Sequence, residues 1–280
     1  MMKSAWILAS ASVLMLGSAW DAHADFLNVT VTIENLSPAN SLSFAPLRLG
    51  FHNGTYDAFN NGQVAGPAIV SVAEGGSGAA WFPAFRAADP GAVLGSVGGA
   101  LLPGATASNR FVVNGTANPF FTFGTMVIPS NDLFLGNDSP TRFRLFDADG
   151  NLAIRTITQR GRDVWNAGSQ AADPLNAAFV VGGDNNLRTP ENGVVEFSFS
   201  ELNRFNGVAT AGGYTFNRQI ENDSDIYRIS FEAQPVPAPP AAILLAIGAG
   251  VLGLVKRKRM MRTRSHENRI LSEPGTSVPG

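Results

Sequence analysis

The chain contains no cysteine and only three histidines, His23, His52 and His266. The first absence excludes disulfide frameworks, thiol nucleophiles, iron–sulfur clusters and cysteine-ligated zinc. The second leaves too few imidazoles for a multi-histidine zinc site. Charge is scarce as well: 15% of the 280 residues are Asp, Glu, Lys or Arg, against roughly 25% in an average globular protein. Lysine is missing altogether between residues 25 and 240, where 12 arginines stand against 19 acidic side chains. A body with that net charge of −7 repels a phosphate backbone, so no nucleic-acid partner is expected. No segment of 12 or more residues carries a convincing helical period, and no internal repeat is visible, which argues against bundles, solenoids and propellers.

Both ends of the chain read as sorting segments. Residues 1–24 have the form of a secretory signal peptide, with Lys3 at the start, an apolar stretch over 5–19 and a small-x-small triplet, Ala22-His23-Ala24, for signal peptidase. Residues 235–259 read PVPAPPAAILLAIGAGVLGLVKRKR, a proline cluster, an apolar run at 241–255 and a basic tetrad. The run reads as a short transmembrane helix whose basic end stays in the cytoplasm. Residues 260–280 continue as a basic tail for which disorder is expected.

This tripartite arrangement resembles the PEP-CTERM bacterial sorting signals, with Val236-Pro237-Ala238-Pro239 standing where that family usually has Val-Pro-Glu-Pro. The resemblance implies recognition by an exosortase, transient residence in the inner membrane, cleavage near Val236, Pro237 and Pro239, and delivery to the cell surface or an extracellular matrix. The chain departs from the pattern in continuing 21 residues past the basic cluster.

The body, residues 25–234, is dominated by strand signals. Leu27, Val29, Val31 and Ile33 alternate with Asn28, Thr30, Thr32 and Glu34, the pattern of a half-buried strand. Further short runs lie at 46–52, 68–73, 110–114, 120–128, 142–146, 152–158, 178–181, 194–200 and 225–233, punctuated by Gly, Asn, Asp and Pro. About ten short strands with turn chemistry between them predict an all-β fold, an antiparallel β-sandwich. The core is expected to include Val29, Val31, Ile33, Phe111, Val113, Phe121, Phe123, Phe143, Leu145, Val195, Phe197, Phe199, Ile226 and Ile229.

Four blocks in the body, VTIENLSP at 31–38, FHNGTYDAFNNG at 51–62, MVIPSNDLFLG at 126–136 and VWNAGSQ at 164–170, resemble in order and spacing the spondin domain. That is the amino-terminal module of F-spondin and mindin, also found in bacterial secreted proteins. The resemblance implies a C2-like sandwich, a role in adhesion and recognition rather than catalysis, and calcium bound by acidic loop residues. One ligand position falls on Asp132. Others fall on Asn166 and Gln170, where the family carries acids, with Asp173 nearby as replacement charge. A site with so few charged ligands is expected to hold Ca2+ weakly.

Other chemistry is thinly represented. Asp147-Ala148-Asp149-Gly150-Asn151 looks like half a calcium loop, but its twelfth position is Thr158 rather than glutamate, and it reads as a hairpin turn. His52 is the one histidine available to a Ser–His–Asp triad, and no Gly-x-Ser-x-Gly elbow accompanies it. Trp81, Phe82, Phe85, Phe120, Phe121 and Trp165 either fill the core or line a sugar or partner surface. The expectation is an exported binding or adhesion protein with a surface polysaccharide or protein as ligand. A secreted hydrolase of extracellular polymer and a matrix component without a discrete ligand are the alternatives.

Overall fold

A computed structural model describes residues 26–236. The signal peptide, Ala22 and Ala24, the motif residues Pro237 and Pro239, the apolar run and the tail lie outside the described residues. In chain order the elements are β1 (Leu27–Asn35), β2 (Ser43–Phe44), β3 (Leu47–His52), α1 (Pro67–Gly75), α2 (Trp81–Ala88), β4 (Val93–Val97), β5 (Thr106–Val113), β6 (Phe120–Ile128), β7 (Leu133–Gly136), β8 (Thr156–Arg160), β9 (Trp165–Asn166), β10 (Glu196–Phe197) and β11 (Asp225–Pro235). A 3-10 helix, Phe199–Phe205, follows β10. Among the described residues no helix is long and apolar enough to cross a membrane.

The strands form two antiparallel sheets, β5-β1-β11-β8 and β10-β9-β7-β6-β3-β4, with β2 paired to β6. The period-2 pattern of β1 sends Val29, Val31 and Ile33 into the core and leaves the polar residues between them half-buried. Those valines join Phe111, Val113, Ile229 and Phe231 of their own sheet and Leu49, Phe51, Phe121 and Phe123 of the other in one apolar cluster. Rings interlock between the sheets: Phe121 meets Phe231 edge-on at 4.9 Å, and Phe51 meets Phe111 at 5.7 Å.

The second sheet is covered on its other face by α1 and α2. This explains why β6 is buried at eight consecutive positions rather than alternately. Phe121 and Phe123 serve the inter-sheet core, while Gly124 lies beneath Val72 and Trp81. Segment 68–73, expected as a strand, is the middle of α1. Its local chemistry favours a helix: extended Gly66 and Pro67 open it, and Gly76 closes it with φ +63, its N–H bonded to the Val72 carbonyl. Ile69, Val72 and Ala73 then fall on the buried face at helical spacing.

The 194–200 run also differs from expectation. Val195 is fully buried, but Phe197 is 53% exposed. Strand β10 has only two residues, and its register sets Phe197 opposite Trp165, over which the ring stacks at 3.7 Å from outside the core. Phe143 is only partly buried. The 142–146 and 178–181 runs make isolated bridges rather than strands. The 147–151 segment is a turn: Asp147 Oδ1 accepts the Asp149 and Asn151 N–H groups, and Phe146 bridges to Leu152.

The chain enters and leaves the sandwich at one end. Leu27 is registered opposite Pro235 in the β1–β11 pair. At the other end of β1, Asn35 donates its Nδ2 to the Leu42 and Leu101 carbonyls, and Ser43, next to Leu42, pairs with Ile128 at the end of β6. The turn that follows β6 therefore sits at the far end from Phe26 and Val236.

Candidate functional site

That turn carries three fully buried polar residues, Ser130, Asn131 and Asp132. Ser130 ties it shut, donating Oγ to the Val127 carbonyl at 2.6 Å and accepting the Leu133 N–H at 3.1 Å. Asn131 Oδ1 accepts the Asp173 N–H at 2.9 Å. Asp132 Oδ2 accepts the Ser169 N–H at 2.8 Å, the Gln170 N–H at 3.0 Å and the Ser169 hydroxyl at 3.2 Å. The facing loop is held in shape by Gly168, whose φ of +65 and close approach to Gly193 leave no room for a Cβ: one would lie 2.7 Å from Val194 N.

Asp132 Oδ1 has no partner, and neither has Gln170 Oε1 or Glu201 Oε1; all three are buried acceptors. Glu201, on the 3-10 helix, accepts the Asn166 Nδ2 at 2.6 Å through its other oxygen. Glu74, at the end of α1, accepts Gln170 Nε2 at 3.3 Å. Burial pushes the Asp132 carboxyl up to about 6, helped by the charge of Glu74 and opposed by the three donors on Oδ2. Burial likewise pushes Glu201 up to about 7; the Asp132 charge adds to the rise, and Asn166, Ser198 and Arg204 oppose it. The cation near Asp132 and Glu74 is Arg188, which donates to the Glu74 and Asn176 carbonyls and to Asn185 Oδ1. Beside Glu201 opens a polar cleft of about 520 Å³ that Asn166, Glu191, Glu196 and Arg204 also line.

No protein-family model matches the chain, and no curated protein matches it.

The residues anticipated from sequence are distributed unevenly. Asp132 and Gln170 lie together with free oxygens. Asn166 borders the same place, but its Oδ1 accepts the Gly168 N–H and its amide nitrogen faces Glu201, so its oxygen is engaged in shaping the loop. The Asp173 carboxylate turns to its own loop, accepting the Leu175 N–H at 3.0 Å and Asn176 Nδ2 at 2.8 Å. Glu201 and Glu74 were not anticipated: they are 35 and 96 residues from the side chains they touch, and α1 carries Glu74 only because 68–73 is helical. Among the described residues no three acidic or histidine side chains converge into a preformed metal cluster. The buried oxygens without donors on Asp132, Glu201 and Gln170 are of the carboxylate and amide types that a hard cation takes.

His52 is buried elsewhere, its Nε2 3.0 Å from Thr122 Oγ1 and its Nδ1 accepting the Gly54 N–H. Burial lowers it to about 4, with Asp89 opposing. Trp81, Phe85 and Phe121 are core residues.

Proposed function

We propose that this chain is an exported bacterial cell-surface or matrix binding protein. Its sandwich would be of the spondin, C2-like kind and would hold Ca2+ weakly at the Asp132 end. Its carboxy-terminal segment would pass through an exosortase after signal peptidase has removed the leader. The observation that carries the reading is the meeting of two spondin-like blocks at one carboxylate. Asp132 from 126–136 is bound by Ser169 and Gln170 from 164–170, and one of its oxygens remains bare beside other acceptors without donors. Buried acceptors without donors are costly, and a cation removes that cost. The partner is a polysaccharide or protein of the surface, and the role is binding rather than catalysis.

The test is thermal unfolding of the full chain in detergent during a Ca2+ titration. A cation that binds only the folded state raises Tm as its concentration passes Kd, here expected at about 10⁻⁴–10⁻³ M. An unchanged Tm at several millimolar Ca2+ overturns the metal part of the reading. Sorting is checked by the intact mass of surface-extracted protein, which should begin near Asp25 and lack the segment after Pro239. A mass that retains 256–280 overturns it.

A further inference from the structure

A second cleft, of about 490 Å³, lies between the edge strand β8 of one sheet and the β9–β10 edge of the other. Its volume is within the ~300–1,000 Å³ of ordinary ligand pockets. Trp165 and Phe197 supply one wall and Phe143 another. Phe197 is the informative residue. A large aromatic side chain 53% exposed forgoes much of its burial energy, yet this one is held flat, 24° from the plane of a buried tryptophan. It presents a fixed apolar face to the cleft.

The rest of the lining is mostly polar, with Ile154 and Ile157 its apolar members. Gln159 is 8% exposed and follows Ile157 on the inward face of β8, a position where an apolar residue would continue the core. Its Nε2 reaches only its neighbour's carbonyl, Thr158 O, at 3.3 Å, and among the described residues its Oε1 accepts no hydrogen bond. It lines the cleft together with Asp138, Asp163, Thr158 and Arg142. A nine-tenths-buried amide is thus left facing the cavity with an acceptor to spare.

We infer that this cleft binds a pyranose ring of a neutral or amino-bearing polysaccharide. A pyranose has one face of C–H bonds and a rim of hydroxyls. The stacked Phe197 matches the face; the Gln159 amide and the Asp138 and Asp163 carboxylates match the rim. Two carboxylates against the single Arg142 disfavour uronic or phosphorylated sugars. The site shares no residue with the Asp132 set, and it rests on the binding reading above by naming the class of polymer bound.

The experiment is equilibrium binding of the full chain, in a detergent without a sugar headgroup, to immobilised neutral, amino-bearing and acidic oligosaccharides, with proline-rich and apolar peptides as controls. Neutral or amino-bearing oligosaccharides should bind. Phe197→Ala and, separately, Gln159→Leu should each weaken binding about tenfold or more while Tm falls by no more than about 4 °C. Trp165 emission should shift on binding in the wild type. Retention confined to acidic sugars or to peptides, no binding at all, or affinity unchanged in both variants overturns the inference. A Ca2+-dependent Tm that survives such a failure leaves the Asp132 reading standing; loss of the Tm response with sugar binding intact separates them the other way.

Discussion

Asn166 and Glu201, 35 residues apart, are joined by a hydrogen bond of 2.6 Å in which the amide of one donates to the carboxylate of the other. The amide does two tasks at once, since its oxygen also accepts the Gly168 N–H. An aspartate at 166 would keep the second contact and turn the first into a meeting of two carboxylates.

Asn166→Asp should therefore lower metal-free stability, by about 1–3 kcal/mol for a buried acceptor deprived of its donor. It should also tighten Ca2+ binding, because affinity follows the number of charged ligands. Adding Gln170→Glu should strengthen both trends, and Asp132→Asn should abolish the Ca2+ response. Calorimetry and unfolding with and without chelator measure the two effects. A double variant that binds Ca2+ no better than wild type removes positions 166 and 170 from the ligand set.

Stability should depend on pH in a sense opposite to that of most carboxylates. Asp132 and Glu201 rise from 3.8 and 4.5 to about 6 and about 7 on folding. Between about pH 4 and pH 7 the folded state thus holds more protons than the unfolded, and metal-free stability falls as pH rises through that window. Glu201→Gln should flatten the upper part of the slope. Saturating Ca2+ should remove most of this fall, since the cation displaces the protons from the folded state. Chemical denaturation at half-unit pH steps reads all three profiles; a Glu201→Gln variant with the wild-type slope would falsify the assignment.

Two phenylalanines provide a stability contrast. Phe121 is fully buried and contacts Phe51, Phe123 and Phe231, so Phe121→Ala should cost about 3–5 kcal/mol. Phe197→Ala, on the exposed side of Trp165, should cost under about 1 kcal/mol. Urea midpoints at constant m-value give the comparison.

Gly50 seats α2 on the second sheet. A Cβ there would collide with the Phe85 ring and with Leu94. Gly50→Ala should cost about 1–3 kcal/mol through overpacking. Near-ultraviolet circular dichroism should also change, because Phe85 stacks on Tyr56 at 3.9 Å.

Strand alternation was legible where one face is apolar and the other is wet. The alternation from Leu27 to Glu34 and the run at 225–233 were readable for this reason, whereas 120–128, which matches β6 at both ends, was readable as a continuous apolar run between turn residues because both of its faces are covered. Legibility failed where tertiary context replaced local pattern. In α1, nine residues are too short for a helical period to outweigh the β-branched residues, although Gly66-Pro67 and Gly76 were signals of helix ends. At β10, alternation alone placed Phe197 inward; only the register against Trp165 turns it out. At the site, Asp132 and Gln170, from two blocks of the sequence, are joined by a hydrogen bond, with Asn166 nearby at the end of β9, whereas Glu201 and Glu74 arrive from elements whose packing no local motif encodes.

The shared end of β1 and β11 gives the sandwich a mechanical anisotropy. A force applied between Phe26 and Val236 meets the Leu27–Pro235 pair first and then its neighbours one at a time, so the two strands peel. A force applied between Val236 and the Asp132 end runs along β11, an eleven-residue strand flanked by β1 and β8. The cross-strand hydrogen bonds then carry the load together, in shear. Single-molecule pulling from those two pairs of attachment points should give the higher rupture force along the second axis.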